Sequence, residues 1–333
     1  MKTKAWVVDK HKEKITFSCN GIDLRDLKNG EVRIKPFFSS VNYRDLLAIS
    51  GDIGVAGKWP YVPGVDFVGE VQESFCRELV CGDKVFAFAL PNDGVWPGVW
   101  SKSFIAKGKF IRKLPDNISP IDLATFGTAG FAAGVAFNLI QKNVSDKPVP
   151  YKIAITGASG GVGSFSIILA KLFKHKVYAF SQSKSDSKTS YLYSLGADLV
   201  TDIEKLKVKH AQRLLPDRYD AVIDSLGGTS LAELLKQVKN RGVIVAAGMA
   251  ESILVDNIDL APFLLRGVKL CGTGSEIINE RESNEVFKVI FSVLNKIDFN
   301  LIRETFDFDQ VDLAVDKMKA DKLGRLVIKI NER

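Results

Sequence analysis

Residues 156–164 read TGASGGVGS, with four glycines in the seven positions from Gly157 to Gly163, set between the apolar runs YKIAI (151–155) and FSIILAKLF (165–173). A helix as apolar as the second run does not need so loose a start. Glycines at this density let a chain turn tightly and let a ligand reach the backbone. A glycine-rich turn that leaves a strand and opens a helix, followed by further strand–helix units, is a dinucleotide phosphate loop, with the pyrophosphate at the helix N-terminus. The binding positions this reading selects are Gly157, Ser159, Gly160, Gly161, Val162 and Gly163. The alternative is a tight structural turn in an α/β domain.

Working outward, strand and helix patterns alternate from about 122 to 264. The order is YKIAITG, SFSIILAKLFK, KVYAFSQ, SKTSYLYSLGAD, YDAVIDSLGG, SLAELLKQVKN and GVIVAAGM. Such alternation predicts a doubly wound parallel sheet with crossover helices. Residues 1–121 read instead as short strands and turns (KAWVVDK, EVRIKPF, VPGVDFVGEV, CGDKVFAF), and 265–333 as two helices and a last strand, RLVIKI. The expected architecture is a Rossmann-type domain, 122–264, inserted into a mostly β domain built from 1–121 and 265–333.

The end of the second strand selects the dinucleotide. An acid about 20 residues past the glycines would hold the ribose 2′-hydroxyl of NAD. Here the sequence is VYAFSQSKSDSK, and Ser181, Ser183 and Lys184 stand at that place. Hydroxyls and an ammonium suit a 2′-phosphate, which a carboxylate would repel. NADPH is the expected cofactor.

Composition bounds the alternatives. The chain has 333 residues, 46% hydrophobic and 26% charged, with a net charge of +7. The lysines are spread rather than gathered into an arm or stripe, which argues against nucleic acid. A basic surface suits an anionic small molecule instead. No apolar run is expected to reach the ~18 residues of a membrane span, and the N-terminus lacks an apolar signal core, so a cytoplasmic location is expected. Cys19, Cys76, Cys81 and Cys271 form no CxxC pair, and His11, His175 and His210 are scattered, so no metal site is expected.

Taken together, SSVNYRDLLAISG (39–51), PGVDFVGEV (63–71), GDKVFAF (82–88), FGTAGFAAGVAF (126–137), TGASGGVGS, DSLGG (224–228), AAGMA (246–250), LLRGVKLCGTGS (264–275) and GRLVIKI (324–330) carry a resemblance that runs nearly end to end. The chain resembles the medium-chain dehydrogenase/reductase superfamily, in its zinc-independent quinone oxidoreductase branch of the YhdH/YhfP type, which includes acrylyl-CoA reductases. The resemblance implies a GroES-like β domain around the Rossmann domain, a nicotinamide between them, and a homodimer. Zinc alcohol dehydrogenases of the same superfamily have a cysteine within the stretch matching VNYRD, Gly-His-Glu where this chain has GVDF, and a four-cysteine lobe that is absent here. Without that Lewis acid, the implied reaction is NADPH-dependent reduction of an α,β-unsaturated carbonyl, as an enoyl thioester such as acrylyl-CoA or as a quinone. A non-catalytic NADPH-binding sensor is the alternative of another kind.

The resemblance also distributes roles. Asn42, Tyr43 and Asp45 fall beside the nicotinamide. Asn42 would donate to the substrate carbonyl, or else only cap the helix YRDLLAIS. Tyr43 would donate to the enolate or supply its proton, or else only pack. Asp45 would orient Tyr43 or Arg44. Thr128 would contact the nicotinamide ribose or amide, Ser275 would lie near the nicotinamide, and Leu226 with Ala247, Gly248 and Met249 would frame the dinucleotide at strand ends. Apart from the resemblance, Arg325 or Arg266 would meet a phosphate of NADPH or of a CoA substrate, or else be solvated at the surface. Trp59, Trp96 and Trp100 would line the substrate mouth or pack in the core.

Overall fold

The structure, a computed structural model, describes residues 1–11, 14–52, 58–91, 98–144, 146–182, 185–206, 211–275, 277–320 and 323–332. Ser183, Lys184, Trp96 and His210 lie outside the described residues.

The chain enters through a hairpin, β1 (Lys2–His11) and β2 (Lys14–Asp23), and continues into β3 (Glu31–Ser40). A short helix, α1 (Tyr43–Ile49), precedes β4 (Phe67–Ser74), β5 (Lys84–Ala87), β6 (Phe104–Lys107) and β7 (Arg112–Lys113). The long helix α2 (Pro120–Val144) leads into the parallel-sheet segment. That segment runs β8 (Lys152–Ile155), α3 (Gly161–Leu172), β9 (Lys176–Ser181), α4 (Asp186–Ser194), β10 (Leu199–Asp202), β11 (Tyr219–Asp224), α5 (Gly228–Leu235), β12 (Val238–Ala246), α6 (Ala261–Arg266), β13 (Lys269–Gly272) and α7 (Glu280–Val293). The chain closes with β14 (Arg303–Asp307), α8 (Val311–Lys319) and β15 (Arg325–Lys329).

Two compact units result, Met1–Thr128 with Ile302–Arg333, and Ala129–Leu301. In the first, β15 pairs antiparallel with β3, Val327 opposite Ser40, so the C-terminus completes the sheet β14-β15-β3-β4-β5-β7. Trp6, Phe67, Trp100 and Phe104 fill its core. Trp100 is fully buried with its indole N–H on Ser39 Oγ at 3.2 Å, so of the two readings for it, core packing holds. Trp59 packs partly buried against the same core.

The second unit is a six-stranded, all-parallel sheet ordered β10-β9-β8-β11-β12-β13. It extends to 301, not to 264 as the sequence suggested. The reason is that β13 is the sixth parallel strand, and α7 seats Val286 and Ile290 on Gly134 of α2 and stacks Phe287 on Phe131 at 4.9 Å. The helix expected over SLAELLKQVKN also ends early, at Leu235, because Val238 already pairs with Tyr219 as the first residue of β12.

The expectation about apolar runs is corrected as well. By length and composition α2 is apolar enough to cross a membrane, with a mean hydropathy of 1.5, and 83% of that stretch is buried as in a core helix. The eye misses it in the sequence because small residues, alanine and glycine, make up much of it. The helix breaks at Gly127, whose φ of 50° and ψ of −157° suit glycine alone.

Candidate functional site

In the parallel-sheet unit the sequence-selected positions gather at one edge. The glycine turn follows β8, Ser181 ends β9, Leu226 follows β11, Ala247, Gly248 and Met249 follow β12, and Ser275 follows β13. All lie at strand carboxyl ends, where parallel sheets place their ligands. The sheet order puts the topological switch point between β8 and β11.

The turn itself is built from specific contacts. Gly157 takes φ +57° to leave β8, and its carbonyl accepts the Gly160 amide at 3.0 Å. A Cβ on Gly163 would stand 2.4 Å from the Gly157 carbonyl oxygen and 2.5 Å from the Ala158 Cα, so the helix can sit this close only with glycine there. Gly160 is the N-cap of α3 and has no side chain to bond the first-turn amides. Those amides lack intrahelical partners by construction and carry the positive end of the helix dipole. The cradle fits a pyrophosphate. Across the switch point, the Thr156 hydroxyl donates to Asp224 Oδ1 at 2.6 Å, and the Gly227 amide donates to Asp224 Oδ2 at 2.7 Å. Burial pushes the Asp224 carboxyl up, against the hydrogen bonds from Thr156, Gly227 and Leu226. Asp224 thus braces the turn.

At the end of β9, Ser181 is buried and lines a cavity of about 220 Å³ with Asp186, Lys188, Thr189, Leu192, Val200, Thr201 and Asp202. Lys188 lines this cavity beside Ser181, a position the sequence did not single out. It is only 5% exposed, and its ammonium donates to the Gln182 carbonyl at 3.1 Å. The reading stopped at Lys184. The available signal was a second basic residue one turn further, inside the helix that follows.

In the β unit, Asn42 opens α1, and its side chain does not act as the free donor expected of it. Asn42 Nδ2 donates to the Ser40 carbonyl and to Asp66 Oδ2, both at 3.0 Å, and its Oδ1 accepts from Arg325 at 3.1 Å. With one amide hydrogen for each of those acceptors, none is left for a substrate. Arg325 is corrected too. It is 2% exposed, and its three nitrogens donate to the Thr125 carbonyl, the Val41 carbonyl, Asn42 Oδ1 and Ser40 Oγ. It anchors this network rather than presenting itself to a phosphate. Arg266 likewise donates to the carbonyls of Leu215, Lys236 and Val238.

Asp66 lies at the centre. It accepts from the Ser40 amide at 2.8 Å, the Ser40 hydroxyl at 2.6 Å and the Thr128 amide at 2.9 Å, with Arg325 Nη2 at 3.9 Å. The Gly127 break delivers that Thr128 amide, and the Thr128 hydroxyl accepts from the Ala89 amide at 3.0 Å. Burial pulls the Arg325 guanidinium down, against the charges of Asp66 and Asp45.

Asp45 directs its carboxylate at backbone amides, with the charge of Arg44 close enough to pull its carboxyl down. Its carboxylate accepts the Asn42 amide at 2.8 Å, as the third residue of a capping box does, and the Gly64 amide at 2.9 Å. Burial pushes it up to about 7, aided by the charge of Asp66 and opposed by the two amides. Folding therefore raises this carboxyl above its unfolded value, so the stability it contributes is complete in acid and is lost as the pH rises through about 7. Between about pH 4 and about pH 7 the melting temperature of the wild type is expected to fall relative to that of Asp45→Asn and then to level off, a difference scanning calorimetry reads directly. A pH-independent difference would refute the raised carboxyl. Tyr43, by contrast, is 45% exposed and is not core packing.

Among the described residues no three His, Cys, Asp or Glu side chains converge as a metal-binding group.

Comparison with known proteins gives a consistent set of likenesses. Residues 28–116 match a family model described as an alcohol dehydrogenase GroES-like domain, and residues 161–291 match one described as a zinc-binding dehydrogenase. The acrylyl-CoA reductase AcuI of Ruegeria pomeroyi is 30% identical over 98% of this chain and 99% of its own length. The putative quinone oxidoreductase YhfP of Bacillus subtilis is 28% identical over 82% of this chain and 81% of its own. The crystal structure of the yhdH oxidoreductase from Salmonella enterica, in complex with NADP, superposes with a TM-score of 0.89 at 25% identity, covering 99% of this chain and all of that one.

Proposed function

The chain belongs to the medium-chain dehydrogenase/reductase superfamily, in its YhdH-type branch, and on that premise we propose that it reduces the C=C bond of a short enoyl thioester such as acrylyl-CoA without zinc. The observation that carries this reading is the full-length likeness to an acrylyl-CoA reductase. The chain is an NADPH-dependent reductase. The first turn of α3 would hold the pyrophosphate, and Ser181 with Lys188 would meet the 2′-phosphate against the opposing charges of Asp186 and Asp202 in the same cavity. When bound, the cofactor supplies a hydride to the substrate's β carbon, and the α carbon takes a proton. With Asn42 engaged internally, the exposed Tyr43 is left as the donor to the carbonyl oxygen on which negative charge develops. Asn42, Asp66 and Arg325 act behind it by fixing the start of α1.

The likeness to YhfP supports the second reading, a quinone acceptor. The two are separated by following NADPH oxidation with acrylyl-CoA and with a small quinone, and with NADH as control. Turnover of the thioester with NADPH supports the first, turnover of quinone alone transfers the protein to the second, and tight NADPH binding with neither reaction leaves a non-catalytic sensor.

The homodimer is the proposed assembly, in a cytoplasmic setting. What supports it is β13, which among the described residues pairs with β12 alone, and the leucines and isoleucines nearby on the same chain segment: Leu260, Leu264 (78% exposed), Leu265, Leu270 and Ile277 (88% exposed). So many exposed aliphatic side chains mark an interface, and an open strand edge is self-complementary about a twofold axis. Light scattering is expected to give twice the chain mass, and Leu264→Glu with Leu265→Glu the single mass. A monomeric wild type would sink the assembly.

A further inference from the structure

We propose that Ser225 is a cofactor-binding residue whose side-chain hydroxyl takes its hydrogen-bond partner from the bound dinucleotide. The inference rests on the NADPH reading and adds to it a side-chain role in the stretch DSLGG, for which the sequence suggested only backbone contact.

Four buried side-chain polar atoms among the described residues have no hydrogen-bond partner: Arg33 Nη1, Ser166 Oγ, Ser225 Oγ and Glu233 Oε2. Buried polar groups are nearly always satisfied, so each orphan requires a cause. Arg33 lies within β3, Ser166 within α3 and Glu233 within α5, all inside regular elements. Ser225 alone follows the carboxyl end of a parallel strand, β11, and that strand flanks the switch point. Its amide crosses to the Thr156 hydroxyl at 3.0 Å, at the end of β8. The serine therefore sits on the line where the two halves of the sheet diverge and where a dinucleotide lies.

The surroundings keep the backbone at Ser225 fixed and its neighbours small. A Cβ on Gly157 would meet the Ser225 Cβ at 3.2 Å, and one on Gly248 would meet the Ser225 carbonyl oxygen at 2.7 Å and its Cα at 3.1 Å. Two glycines thus close on this residue from the turn after β8 and the turn after β12. The serine carbonyl accepts the Ala250 amide at 3.1 Å, so both backbone groups are engaged and only the hydroxyl is not. The residue is partly exposed although its oxygen is buried. A hydroxyl both donates and accepts, and either suits the oxygens of a ribose diphosphate.

The test is a fluorescence titration of the full chain and of Ser225→Ala with NADPH, with melting temperatures taken before and after cofactor addition. A lost ligand hydrogen bond is expected to weaken binding by about three- to thirty-fold. The melting temperature without cofactor is expected to stay level or rise, since an unsatisfied polar group is removed. A hydroxyl that served the fold would behave in the opposite way, lowering the cofactor-free melting temperature and leaving affinity unchanged, and equal affinity for the two proteins overturns the proposal while leaving the cofactor reading in place. Absence of NADPH binding by the wild type overturns both.

Discussion

Replacing Asp66 by alanine is expected to lower stability by about 3–5 kcal/mol, the loss typical of removing one partner from a buried charge pair. That is a large share of the roughly 5–15 kcal/mol that holds a domain together. The carboxylate is 1% exposed and takes the amides of Ser40 and Thr128, the Ser40 hydroxyl and Asn42 Nδ2. Alanine leaves those donors dry, and it leaves the Arg325 guanidinium 2% exposed with only uncharged acceptors in contact. Urea unfolding of the cofactor-free protein measures the change. Adding Arg325→Met to Asp66→Ala is expected to recover part of the loss, because the unpaired charge goes too. A loss below about 1 kcal/mol would mean that water replaces the carboxylate, and the network would not be what fixes α1.

The second large effect is at Gly163. In an exposed helix interior glycine to alanine gains up to about 1 kcal/mol. Here the sign reverses, since the new methyl would lie 2.4 Å from the Gly157 carbonyl and 2.5 Å from the Ala158 Cα, both backbone atoms that cannot swing aside. Gly163→Ala is expected to destabilise by roughly 1–3 kcal/mol, as overpacking does, and to reduce NADPH affinity by at least about a hundredfold as the turn is pushed open. Gly160→Ala is the control, because its methyl meets only the Gly157 carbonyl, at 3.3 Å. It is expected to fold within about 1 kcal/mol of the wild type while still weakening NADPH. Equal affinity for wild type and Gly163→Ala would refute the cradle.

Much of this was legible in residue order. The turn at 156–164 named its strand, its helix and its ligand class, because glycine spacing and 3.6- or 2-residue periodicity are local properties. The absence of an acid at Ser181 was equally local. Where reading failed, the deciding contact was distant in sequence. Asn42 looked like a substrate donor because two of its three side-chain partners are distant in the chain. Beside the Ser40 carbonyl, these are Asp66, 24 residues on, and Arg325, 283 residues on. Arg325 looked like a phosphate ligand for the same reason. The boundary at 264 failed because pairing of β13 with β12 and packing of α7 on α2 leave no mark on composition.

The sequence by itself therefore determined the Rossmann-type insertion, the dinucleotide turn and the family, since each rests on short-range spacing and residue type. The tertiary structure alone decided which polar side chains remain available to a ligand. Burial and pairing consume Asn42, Asp45 and Arg325 and leave Tyr43 exposed and the Ser225 hydroxyl without a partner. A hydrogen-bonding group is free only when no other group in the folded chain has reached it, and that is a property of three-dimensional proximity, not of order along the chain.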